Sequence, residues 1–253
     1  METPPFTRLA DVYDAIMADV EYDDWIDFVL REATARGFHG GRLLDLGCGT
    51  GNATGPALAR GHRVDGLDAS AAMLEVAQRK HPAADFVVAD VRDFVLPHRY
   101  ALIYSVFDAL NNLLEDDDFL AMAQRVLAHL EPGGLFVFDA NTTAGLRALW
   151  EDGRAEGWAN DVYYRWLHRY DEATGLATVE AFCRDRIGEF TEVHHERPYD
   201  AADLRRLLRR AGFASVEVVR YPDARPADPD EPRIWTLARA PGAAPPSAVV
   251  GSG

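Results

Sequence analysis

The stretch Leu43 to Gly51, LLDLGCGTG, runs from apolar residues straight into three glycines within five positions, with a carboxylate, Asp45, set at the end of the run. Glycine has no Cβ and tolerates positive φ, so a turn of this kind lets a ligand approach the backbone closely. A short apolar run, a glycine turn and then a helical pattern read as a parallel strand feeding a crossover helix. In such an open sheet the ligand sits outside the carboxyl ends of the strands, near the first strand.

The chain keeps that rhythm. RLLDL, RVDGLD and DFVVAD read as strands, and NATGPALARG and SAAMLEVAQRK between them as helices. YALIYSVF (Tyr100 to Phe107) and GLFVFDA (Gly134 to Ala140) follow, separated by a helix over Asp116 to Leu130 that the sequence EPGG ends abruptly. From residue 142 to 198 the pattern changes to alternating runs, VYYRWLHRY, LATVEAFCRD and EFTEVHHER, joined by short turns. These predict an antiparallel meander inserted after the fifth strand. A helix over Ala201 to Ala211 and the strands SVEVVRY and RIWTLAR then complete the sheet. The expected fold is α/β, a doubly wound seven-stranded Rossmann-like sheet with an inserted antiparallel β meander. Its expected divisions are an N-terminal helical cap (1–41), a ligand-binding core (42–141), the insertion (142–198), a completion of the core (199–239) and a disordered tail rich in Ala, Pro, Gly and Ser (240–253).

Charge limits the partners. The formal net charge of −15 repels a nucleic acid unless cations gather in one patch. The one dense basic run, LRRLLRR (Leu204 to Arg210), has leucines at helical spacing and reads as the solvated face of an amphipathic helix. Two cysteines, Cys48 and Cys183, make no disulfide framework. The start METPPFTRLADVYD has no signal-peptide pattern, and no apolar run reaches membrane-spanning length, so a cytoplasmic protein without membrane contact is expected.

Two ligand classes compete for the turn. A dinucleotide fingerprint requires G-x-G-x-x-G, but here Asn52 stands where the third glycine belongs. That spacing, and the lack of a recognisable Tyr-x-x-x-Lys pair, count against an NAD-dependent oxidoreductase. Asp68, at the end of the second strand, is placed to accept from both ribose hydroxyls, and Asp90, after the third, from an adenine amine. The set suits an adenosine that carries no phosphate.

With these residues the chain resembles a class I S-adenosylmethionine-dependent methyltransferase of the small-molecule group, over about Ala10 to Ala140 and again Tyr199 to Arg239. The resemblance implies that the backbone at Gly47 and Gly49 holds the methionine moiety, that Asp45 supports its ammonium, that Asp68 holds the ribose, and that Asp90 with Val91 holds the adenine. Met73 matches the position against the adenine. Cys48, Ala69 and Ser105 fall among the cofactor-binding positions. In the leader ADVYDAIMADVEYDDWIDFVL, Tyr13 matches a tyrosine that reaches the methionine carboxylate, with Tyr22 or Trp25 as a second wall.

Displacement at a sulfonium methyl needs alignment and exclusion of water more than a dedicated catalytic group, and a base only if the acceptor arrives protonated. YSVFDALNN, at the end of the fourth strand, lacks the Asn/Asp-Pro-Pro-Tyr/Phe element of enzymes that methylate adenine or glutamine nitrogens, which favours a small-molecule acceptor. Asp139 and Asn141 read as a strand-end turn, and no metal site is expected. His194 is the candidate base. On an extended strand it shares a face with Phe190, Glu192 and Glu196 while His195 points the other way. Tyr163, Tyr164, Trp166, Tyr170 and Phe182 give the insertion an aromatic surface that either lines an acceptor pocket or joins two copies as a homodimer. A binding protein, sensing S-adenosylmethionine or serving as a non-catalytic partner subunit, would use the same cofactor residues, and turnover separates the two.

Overall fold

The glycine turn caps the central strand of the molecule. In the computed structural model, which describes residues 6–150 and 153–242, β1 (Arg42–Leu46) pairs in parallel with β2 (Arg63–Asp68) on one side and β4 (Tyr100–Ser105) on the other. The strand β3 (Asp85–Val88) closes one edge. Beyond β4 lie β5 (Leu130–Asn141), then β11 (Arg233–Arg239) antiparallel to it, then β10 (Ser215–Val219), giving the order β10-β11-β5-β4-β1-β2-β3. The seven strands are those the sequence predicts, and the order reverses beside β1.

Alternation along the strands builds two cores. Leu44 and Leu46 face one side with Ile103, Phe136 and Phe138, under α5 (Asp116–His129) and α7 (Ala201–Ala211). Leu43 faces the other with Leu102, Tyr104 and Val137, under α2 (Tyr22–Ala35) and α3 (Thr54–Ala59). Four of the five residues of β1 are buried, as a parallel strand covered on both faces requires. The helix α7 buries Leu204, Leu207 and Leu208 completely, and Arg206, Arg209 and Arg210 stay exposed. Each leucine contributes about 2 kcal/mol by burial. Arg206 pairs with Asp116 and Asp203, so the basic run is a solvated face.

The insertion is a separate antiparallel sheet of four strands, β6 (Arg154–Ala159), β7 (Val162–Asp171), β8 (Leu176–Arg184) and β9 (Glu189–Glu196). The sequence predicts only the last three. RAEGWA carries a glycine and little apolar alternation, and its strand forms by pairing with β7. An unforeseen helix, α6 (Thr143–Trp150), joins the two sheets. At the other end, Ala240 was expected to begin a disordered tail, yet it is buried and donates its N–H to Gly134 O at 2.9 Å. Residues 243–253 lie outside the described ones.

The N-terminal segment bridges the two sheets. The backbone N–H groups of Phe6, Thr7, Arg8 and Leu9 all donate to the carboxylate of Glu192 on β9, at 2.7 to 3.2 Å. The Ser70 hydroxyl donates to Phe6 O at 2.6 Å, just ahead of α4 (Ala71–Lys80). The helix α1 (Ala10–Ile16) that follows packs Val12 against Val162 and Cys183 of the insertion. Its Asp14 accepts from Thr50 Oγ1 and Lys80 Nζ, both at 2.6 Å, which fastens it to the glycine turn.

Candidate functional site

Gly47, Gly49 and Gly51 all have positive φ, at 71°, 54° and 79°. An L side chain would be strained at each. A Cβ at Gly47 would also stand 3.2 Å from that of Ala109, whereas one at Gly49 would meet nothing within 4 Å. The turn therefore closes tightly against the loop after β4 and leaves open space over Gly49. That space belongs to a cavity of about 820 Å³ along the carboxyl ends of the strands. Its volume is toward the upper end for a ligand site and has room for two partners.

At one end, Asp68 accepts the N–H of Gly49 at 2.9 Å and that of Ser70 at 2.8 Å, and burial raises its pKa. Met73 and Ala69 line the wall beside it, with Val91 and Asp90 across from them. Asp90 faces Arg92, which donates to it through Nη2 at 2.6 Å and Nε at 2.9 Å, and this ion pair lowers its pKa. Arg92 is the only lysine or arginine among the described lining residues, and it also holds Asp118. This end thus offers hydrogen-bond acceptors for a nucleoside and no free cation for a phosphate.

In the middle lie Gly47, Cys48, Asp45, Tyr13 and Tyr22. Asp45 is 1% exposed and accepts from Thr54 Oγ1 at 2.6 Å; burial pushes its pKa up to about 7. Burial together with neighbouring Tyr22 holds the Tyr13 phenol well above its ordinary value. These groups form the polar floor on which an amino-acid moiety can rest.

Two residues expected at the cofactor lie off the cavity wall. Trp25 packs edge-on to Trp235 with centroids 6.0 Å apart, lies 5.8 Å from Phe107, and has the Arg233 guanidinium 5.2 Å from its ring. The sequence pattern of α2 cannot tell this aromatic anchor from a pocket wall. Trp25→Ala is expected to cost about 2 kcal/mol in urea unfolding and to change cofactor affinity less than threefold; a tenfold loss of affinity would return Trp25 to the site. Ser105, the last residue of β4, is buried underneath, its Oγ 4.0 Å from where a Gly47 Cβ would stand.

The far end is walled by the insertion, with Trp166, Val179 and Ala181 facing the loop after β4. His194 reaches this end, its ring 4.4 Å from that of Phe6. Burial pulls its pKa down to about 4, and neither ring nitrogen has a hydrogen-bond partner among the described residues. Its Nε2 lies 3.5 Å from Glu192 Oε2, a carboxylate that opposes the effect of burial on the ring. His195 points away, its Nδ1 3.0 Å from Thr178 Oγ1.

A charged network that the sequence did not reveal stands beside it. Phe107 and Asp108 are consecutive non-glycine residues at φ 63° and 49°. Such strain persists only where the surroundings over-determine it. Asp108 accepts from Arg233 Nη2 and Asn141 Nδ2, both at 3.0 Å, and its own N–H donates to Asp139 at 3.1 Å. Arg233 also bonds Asp139. Glu196 lines the cavity next to this network; burial, with Asp108 nearby, holds its carboxyl well above the usual glutamate range. Its Oε2 is buried with no hydrogen-bond partner among the described residues. The one available sequence signal was that Glu196 shares a strand face with His194. No group of His, Cys, Asp and Glu among the described residues could hold a metal ion.

A family model described as a methyltransferase domain matches residues 43–134. The chain is 34% identical to the dTDP-3-amino-3,6-dideoxy-alpha-D-glucopyranose N,N-dimethyltransferase of Streptomyces fradiae, over 64% of this chain and 69% of that one. It is 26% identical to the Bacillus subtilis protein YqeM, over 89% of this chain and 94% of that one. A crystal structure of an S-adenosylmethionine-dependent methyltransferase from Clostridium acetobutylicum superimposes with a TM-score of 0.79 at 25% identity, covering 93% of this chain and 98% of the other.

Proposed function

The chain belongs to the class I S-adenosylmethionine-dependent methyltransferases, and from that premise we propose that it methylates a nitrogen of a small-molecule acceptor. The carrying observation is that one cavity joins the glycine turn and Asp68 to the wall of the inserted sheet, so cofactor and acceptor share a single enclosed space. The Streptomyces relative, an N,N-dimethyltransferase by name, supports nitrogen as the nucleophile. The oxidoreductase alternative falls, because the family is a methyltransferase family.

When bound, S-adenosylmethionine supplies a methyl carbon made electrophilic by its sulfonium. The residues fit it: at the nucleoside end stand acceptors and no unpaired cation, Arg92 being held by Asp90, and the buried carboxyl of Asp45 would serve a charged amine. In this reading Asp68 accepts from the ribose hydroxyls, Met73, Asp90 and Val91 hold the base, and Asp45 and Tyr13 take the amino-acid end. The segment from Phe6 to Leu9, pinned by Glu192, covers the site and excludes water.

Titration with S-adenosylmethionine, S-adenosylhomocysteine and NAD tests the cofactor assignment, with binding expected for the first two alone. Binding of NAD alone would overturn it. Because Asp45 sits near pKa 7 and must ionise to hold an ammonium, binding is expected to release roughly half a proton per ligand near neutrality. Calorimetry in buffers of different ionisation enthalpy reads this, and proton uptake would take Asp45 out of the role.

A further inference from the structure

The acceptor end of the cavity has the wrong charge for a nucleotide-linked sugar. Its ionisable groups are Glu196 on β9 and Asp108 in the loop after β4, with His194 between the ring of Phe6 and the Glu192 carboxylate, 3.5 Å from its Nε2, while His195, its ring turned to Thr178, also contributes to the lining. Asp118 lies farther along, already held by Arg92. The guanidinium that reaches Asp108, that of Arg233 on β11, is absent from the described lining and donates to Asp108 and Asp139. The Asn141 amide on β5 donates to Asp108 and also acts on Glu196. A diphosphate brought here would meet a cluster with two carboxyl groups, Asp108 and Asp139, to the one guanidinium of Arg233, and no unpaired cation, whereas an ammonium would meet complementary charge.

We propose that the acceptor is a small amine that arrives as a cation and carries no phosphate, and that Glu196 is the catalytic residue that takes its proton. The proposal rests on the methyltransferase reading above. The proton passes from the ammonium nitrogen to Glu196 Oε2, the atom left without a partner. The freed lone pair forms the new nitrogen–carbon bond as the carbon–sulfur pair returns to sulfur. The methylated nitrogen carries the positive charge, and Glu196 then releases its proton to solvent. An ordinary glutamate, with a pKa of about 4.3, is poorly matched to an amine of pKa about 8. Burial and the neighbouring Asp108 correct that mismatch, while Arg233 and Asn141 work in the opposite direction.

The test is calorimetric titration of the protein saturated with S-adenosylhomocysteine, using three probes: 3-amino-3-deoxyglucose, its dTDP conjugate, and glucose. The free amino sugar is expected to bind at least about tenfold more tightly than either of the others, a difference equal to one charge contact. Glu196→Gln should bind S-adenosylhomocysteine as the native chain does, which shows it folded, and should lose the preference for the amine over glucose. With the amino sugar as substrate, the native rate should rise with pH to a plateau set by an ionisation near neutrality that Glu196→Gln lacks. Tighter binding of the dTDP conjugate, no preference for the amine, or an unchanged preference or pH profile in Glu196→Gln overturns the proposal and leaves the cofactor assignment standing. Failure of S-adenosylhomocysteine itself to bind would bring down the methyltransferase reading and this proposal with it.

Discussion

Replacing Asp68 with alanine is expected to weaken S-adenosylhomocysteine binding by at least about 100-fold, or about 3 kcal/mol. The carboxylate has two tasks. It accepts the N–H groups of Gly49 and Ser70, which fixes the glycine turn relative to the start of α4. It also presents acceptor lone pairs to the nucleoside end of the cavity. Hydrogen bonds to a charged group contribute about 1.5–3 kcal/mol each, so removing both tasks together accounts for the loss. Asp68→Asn keeps an oxygen for Gly49 and should lose less. Asp90→Ala should cost only about tenfold, because Arg92 already occupies that carboxylate. A dissociation constant for Asp68→Ala within tenfold of the native value would remove Asp68 from the cofactor site.

The second large effect is expected at Glu192. Its side chain is fully buried, and its carboxylate is the shared acceptor for four consecutive backbone N–H groups at the N-terminus. Glu192→Ala leaves those donors to water and frees Phe6, which contributes to the cavity wall and accepts from Ser70. A loss of about 3 kcal/mol in urea unfolding is expected. A more selective measure is trypsin cleavage after Arg8, which should quicken at least tenfold, and S-adenosylhomocysteine should dissociate faster in step. If cleavage quickens while the dissociation rate stays unchanged, the segment is a structural clasp and not a cover over the cofactor.

Much of the cavity's lining around the glycine turn was legible in the sequence because its residues follow their strands directly. Asp45, Gly47, Gly49, Asp68 and Asp90 each sit at a strand end, and the period of the apolar runs locates those ends within a residue or two. The acceptor end was not legible. His194 and Glu196 share a face, as alternation requires, but which of them carries a usable proton depends on what lies opposite. Burial and the neighbouring His195 depress His194, whereas burial beside Asp108 raises Glu196. Trp25 stayed open between helix anchor and pocket wall for the same reason: a helical aromatic fits either until its neighbours, here Trp235, Phe107 and Arg233, are known.

The sequence by itself determined the seven-stranded sheet, the place of the glycine turn, the acidic residues at the ends of the second and third strands and the presence of an antiparallel insertion. All of these follow from short-range periodicity and turn chemistry. The tertiary structure alone decided which groups stand at the far end of the cavity, beside the inserted sheet. Arg233 reaches Asp108 across 125 residues, and Glu192 gathers the N-terminus across as many as 186. Contacts of that separation leave no periodic trace in the chain. Their energies depend on burial and on the charge of partners that only folding brings together.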